Sequence, residues 1–126
     1  MQKKTVLIVD DDIDFSKVAR VVLEQKGGFQ VGICNQSVNA VAAVREWKPD
    51  LVLLDIMMPG KDGTEIAAQL REDPQLCSIP VIFFTSLMTP GEAAGHPVIG
   101  NYQFIPKPIK VDDLLRRVKD FFETQY

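Results

Sequence analysis

The stretch "LVLLDIMMPGKDG", residues 51–63, decides the fold. Four apolar residues run straight into Asp55. A short, continuous apolar run is the pattern of a parallel strand covered on both faces. This one ends in a carboxylate, and "MMPG" and "KDG" then turn the chain before a helical pattern begins. In open α/β sheets, ligands bind outside the carboxyl ends of the strands. Asp55 stands at such an end.

Working outward, the same design recurs. Apolar runs occur at 5–9 ("TVLIV"), 29–33 ("FQVGI"), 81–84 ("VIFF") and 102–105 ("YQFI"). The runs at 29–33 and 102–105 alternate more, which suits strands nearer a sheet edge. Between the runs lie amphipathic segments at 14–25, 38–47, 64–71 and 111–123, with apolar residues three and four apart. Ser37 is placed to cap the second helix, and "GG" at 27–28 to stop the first. Strand then helix, repeated, predicts one α/β domain over residues 1–126.

One segment breaks the alternation. Residues 86–103 stand where a fourth helix belongs, yet they hold Pro90, Gly91, Gly95, Pro97 and Gly100. Interior glycine costs a helix about 1 kcal/mol against alanine, and proline about 3 kcal/mol. The fourth helix is therefore expected to be degenerate or missing. At most one turn is expected near 90–94, within an irregular 91–101 loop.

Composition narrows the function. The chain has 126 residues, nearly half of them apolar, enough for one packed core. A net charge of -3 argues against a nucleic-acid partner, which needs a basic face. The first apolar run is too short for a leader core or a membrane span. No membrane partner and a cytoplasmic location are expected. Cys34 and Cys77 lack metal-ligand spacing and read as reduced packing or surface residues. His96 has no partner motif and reads as a surface residue. "GKDGT" at 60–64 lacks the glycine spacing of a P-loop.

The residues after each run carry the chemistry. The first is followed by Asp10, Asp11 and Asp12, the third by Asp55, the fourth by Thr85, and Lys107 follows the fifth. Cys34 and Asn35, after the second, suggest no such role. Three carboxylates on one rim repel one another, and a divalent cation removes the conflict. Oxygen donors without histidine or cysteine favour a hard ion, Mg²⁺ or Mn²⁺. A metal, a lysine and a hydroxyl around a further carboxylate suit a phosphoryl group. Asp55 can then be the nucleophile that forms an acyl phosphate. Asp12 reads as a helix cap and Asp62 as a turn residue.

From "VLIVDDD" through "LLDIMMPGKDG" and "FFTS" to "PKP", the chain resembles the response-regulator receiver domains, the CheY-like family. The resemblance implies a flavodoxin-like, doubly wound sheet of five parallel strands in the order 2-1-3-4-5. It implies Asp55 as phosphoacceptor, and Asp10, Asp11, Asp55 and the backbone carbonyl of Met57 around Mg²⁺, with Asp10 acting partly through water. It implies Lys107 as the phosphate-pairing lysine, and Thr85 and Phe104 as the switch residues. Phe104 equally suits the core. The donor would be a sensor histidine kinase or a histidine phosphotransfer protein. The output would pass to a downstream protein or an attached domain, and catalysis would be confined to the protein's own phosphorylation and dephosphorylation. Met57 and Leu87, at positions that help set self-dephosphorylation in the family, are apolar, which implies a slow loss of phosphate. The loop at 91–101 would order on phosphorylation, and a partner would read it together with the last helix.

Two other readings stand beside this one. A haloacid-dehalogenase-like phosphatase also uses a strand-end aspartate and Mg²⁺, but its motif wants a second aspartate at the place of Met57. A pseudo-receiver would keep the fold as a binding module and take no phosphate.

Overall fold

The computed structural model describes residues 3–85, 98–99, 102–106 and 109–124. Five parallel strands form where the apolar runs lie: β1 (Thr5–Val9), β2 (Gln30–Cys34), β3 (Leu51–Asp55), β4 (Val81–Thr85) and, sixth in chain order, β6 (Tyr102–Pro106). A two-residue strand, β5 (Val98–Ile99), pairs antiparallel with β6. The sheet order is β2-β1-β3-β4-β6-β5. The five parallel strands thus follow the expected 2-1-3-4-5 order. The alternating run at 29–33 is indeed the edge strand β2, and β6 is covered only by β5.

Strand β5 corrects the expectation of an irregular loop over 91–101 at two positions. Val98 pairs with Gln103 and Ile99 with Tyr102. Both are β-branched, and the sequence between the strands, Gly-Asn, is hairpin chemistry. The expected turn near 90–94, and the ordering switch built on that loop, lie outside the described residues.

The helices are α1 (Ile13–Gln25), α2 (Ala40–Trp47), α3 (Gly63–Glu72) and, last among the described residues, α4 (Val111–Thr124). None is long and apolar enough to cross a membrane. Asp12 caps α1 by accepting from the Phe15 amide at 3.0 Å. Asp62 is more than a turn residue: it caps α3, accepting from the Thr64 amide at 2.7 Å. Ser37 does not cap α2. It opens a short 3₁₀ turn, Ser37–Asn39, and its hydroxyl bonds instead to the loop after β3. That loop offers the Pro59 carbonyl and the Lys61 amide, which a serine oxygen can serve together as donor and acceptor.

Strand alternation splits the core into two layers. Val6, Ile8, Leu51 and Leu53 pack with Ala19 and Leu23 of α1 and with Leu114, Val118 and Phe122 of α4. Leu7, Val9, Val52 and Leu54 pack on the other face with Val44 of α2 and Ile66 and Leu70 of α3. Helices on both faces explain why the central strands read as unbroken apolar runs.

Candidate functional site

Register and pleat together bring the acids to one place. Strands β1 and β3 run parallel with Val9 opposite Leu54, so the next pair in register is Asp10 and Asp55. Asp10 continues the Val6–Ile8 face and Asp55 the Leu51–Leu53 face, which is the same side of the sheet. Both acids are buried, at 0% and 4% exposure, while Asp11 is exposed on the connection to α1. Asp10, Asp11 and Asp55 each present a carboxylate oxygen, and these oxygens lie within 4.8 Å of one another.

Backbone bonds aim the carboxylates. The Asp12 amide donates to Asp10 Oδ1 at 2.9 Å, and the Met57 amide donates to Asp55 Oδ1 at 3.2 Å. The turn after Asp55 closes through the Gly63 amide, which donates to the Ile56 carbonyl at 2.9 Å. Gly63 is required there: a Cβ would strike the Asp55 carbonyl and the Ile56 Cα, both backbone. The glycine in "KDG" thus lets α3 start against the end of β3.

Two charges 4.8 Å apart repel by about 3 kcal/mol at an effective dielectric near 20. A divalent cation turns that repulsion into attraction. The donors are all oxygen, two buried and one exposed, a set that fits a hard ion which keeps part of its water shell.

The other candidates fall as follows. Thr85 closes β4, one residue beyond Phe84, which is the register partner of Asp55. Phe104 lies on β6 opposite Phe83, and the two rings pack at a tilt with centroids 5.3 Å apart. It is partly buried against the α2/α3 layer, and its carbonyl accepts from Arg117 of α4 at 3.2 Å. Met57, two residues beyond Asp55, is apolar and 57% exposed. Lys107 and Leu87 lie outside the described residues.

The sequence reading passed over the end of β2. Asn35 brings no carboxylate, but its side-chain amide donates to the Asp10 carbonyl at 2.7 Å and to Ser16 Oγ at 3.4 Å. Ser16 Oγ in turn donates to the Asp12 carbonyl at 2.8 Å. An amide side chain directly after a strand that neighbours an acid-bearing one was the available signal.

Comparison with known proteins joins this geometry to a family. The family model for the response regulator receiver domain matches residues 6–119. The chain belongs to the response regulator receiver domain family. This receiver domain is 32% identical over 117 residues to the DNA-binding response regulator MtrA of Mycobacterium tuberculosis, covering 93% of this chain and 50% of MtrA. It is 34% identical over 119 residues to the phosphate regulon transcriptional regulatory protein PhoB of Pseudomonas aeruginosa, covering 94% and 52%. The chain spans about half the length of these curated relatives. Among solved structures, a response regulator from Desulfuromonas acetoxidans superposes with a TM-score of 0.80 at 28% identity, covering 98% of this chain and 99% of that one. The chemotaxis protein CheY4 of Vibrio cholerae, at 24% identity and a TM-score of 0.79, shares the fold over 94% of this chain and 98% of its own. Family membership sets aside the dehalogenase-like reading and makes the chain part of a two-component system.

Proposed function

We propose that this receiver accepts a phosphoryl group on Asp55 from the phosphohistidine of a sensor kinase or a phosphotransfer protein. The observation that carries the reading is the convergence of three carboxylate oxygens within 4.8 Å on the rim of a receiver sheet. Asp10, Asp11, Asp55 and the Met57 carbonyl would hold Mg²⁺, or Mn²⁺. Bound there, the ion would neutralise charge on the phosphoryl oxygens and let an anionic donor approach an acidic pocket. The Asp55 carboxylate attacks phosphorus through one oxygen, an O–P bond forms, the P–N bond to the donor imidazole breaks, and the imidazole leaves with the electron pair and takes a proton. The Met57 amide holds Asp55 Oδ1 and so orients the carboxylate for that attack. Lys107 would pair with a phosphoryl oxygen. Thr85 would move toward the new group and Phe104 would follow it, turning chemistry into a change on the β4–β6 side of the sheet. Output then passes to a downstream protein or an attached domain.

Incubation with acetyl phosphate and Mg²⁺, followed by intact-mass measurement, tests the reading. A gain of roughly 80 Da, one phosphoryl group, is expected in the wild type and not in Asp55→Asn. No adduct in the wild type would make the chain a pseudo-receiver, and an adduct that survives in Asp55→Asn would move the acceptor elsewhere. Met57, exposed and apolar two residues beyond Asp55, cannot orient an attacking water by a hydrogen bond. The adduct should therefore decay slowly, and Met57→Asn should shorten its life; an unchanged lifetime would remove Met57 from that role.

A further inference from the structure

The connection from β2 to α2 brings no acid to the rim, yet it grips both loops that do. Asn35 holds the β1–α1 loop by the Asp10 carbonyl and, through Ser16, the start of α1. Ser37 holds the β3–α3 loop. Its side chain is buried, at 4% exposure; Oγ donates to the Pro59 carbonyl at 2.6 Å and accepts from the Lys61 amide at 2.8 Å. Between those two partners Gly60 sits at φ +90°, where a Cβ would stand 3.0 Å from Ser37 Oγ. The loop is therefore folded around the hydroxyl, and only glycine allows both the turn and the approach. Two residues before Pro59 lies Met57, whose amide holds the Asp55 carboxylate.

We infer that Asn35 and Ser37 are positioning residues that set the distance between the β1 acids and the turn after Asp55, and through it the affinity for Mg²⁺. This rests on the reading of the acidic cluster as a Mg²⁺ site. Mg²⁺ demands near-ideal octahedral geometry with oxygens at about 2.1 Å, so it tolerates a displaced loop poorly. The two loops come from different strands, and the bonds from Asn35 and Ser37 join them through a third chain segment. Without the Ser37 hydroxyl, the Pro59 carbonyl and Lys61 amide lose a shared partner and the turn is free to relax away from Asp10.

A purely structural serine would lower stability equally with and without metal. A positioning serine changes the metal dependence itself. Thermal unfolding of the wild type, Ser37→Ala and Asn35→Ala across a Mg²⁺ series separates the two. Half-saturation in Ser37→Ala is expected at about tenfold more Mg²⁺ than in the wild type, the low end for outer-shell partners of a metal. Asn35→Ala should shift the same way, and it decides the question alone if Ser37→Ala does not fold. Half-saturation at the wild-type concentration in the variants overturns the inference, whatever their loss of stability without metal. A wild type that shows no response to Mg²⁺ overturns it together with the metal reading beneath it.

Discussion

The two rims of the sheet use aspartate in opposite ways. At the amino end, Asp50 Oδ2 accepts from the Thr5 amide at 2.8 Å and from Thr5 Oγ1 at 3.1 Å, and the Asp50 amide donates back to Thr5. Nearby, Asp73 is held by Arg45 at 2.5 Å and by the Gln75 amide at 2.8 Å. Each of these acids meets donors and staples two segments. At the carboxyl end, Asp10, Asp11 and Asp55 meet one another within 4.8 Å. The amino rim thus uses Asp50 and Asp73 to hold the chain together, while the carboxyl rim, beside the helix caps Asp12 and Asp62, also gathers like charges that a cation and a phosphoryl group can use. The difference follows from sheet polarity, because parallel strands all open toward the same side.

The largest expected effect breaks the metal side of this contrast. Mg²⁺ at a hundred times its Kd should stabilise the wild type by about 2.7 kcal/mol, and Asp11→Asn should lose most of that increment. Equal melting shifts in the two proteins would remove Asp11 from the site. Next, Gly63→Ala should destabilise by about 2 kcal/mol, because the added methyl meets backbone that cannot rotate away. Denaturant unfolding at constant slope would measure it, and a neutral effect would mean that α3 does not need its close approach to β3.

Asp50→Ala sharpens the comparison from the other rim. It should cost about 1 kcal/mol by removing the Thr5 bonds, yet leave the Mg²⁺ increment at its wild-type size. A lost Mg²⁺ response in this variant would show that the rims are coupled. The smallest effect concerns Asp73, whose carboxyl is held below its ordinary value, first by the Gln75 amide and then by Arg45. A lowered folded-state pKa contributes stability above the unfolded value, and that contribution is lost as pH falls through the folded one. Asp73→Asn should therefore lower the melting temperature slightly above about pH 4 and converge with the wild type in stronger acid. A constant difference at every pH would contradict the linkage.

Much of the site was legible because strand ends are local signals. "LVLLD" and "TVLIVD" each announce a buried strand that ends in an acid, and the parallel α/β pattern sends both ends to one rim. The roles of Ser37, Gly60 and Gly63 were not legible. Ser37 precedes an apolar helical pattern, and by local rules a serine there caps a helix. Its partners are Pro59 and Lys61, more than twenty positions away, and no local rule reaches that far. Strand β5 was missed for a related reason. A two-residue strand has almost no periodicity of its own, and the surrounding glycines and prolines outweigh it.

By itself, then, the sequence determined the parallel strands, the acids at their ends and the family, because these depend on pleat period and on residues adjacent in the chain. Only the tertiary structure decided that Asp10 and Asp55 share a face at neighbouring register positions, that Gly63 lets α3 close against β3, and that Asn35 and Ser37 tie the two acid-bearing loops together. Register, close approach and long-range hydrogen bonds join residues distant in the chain, and only folding brings them within reach.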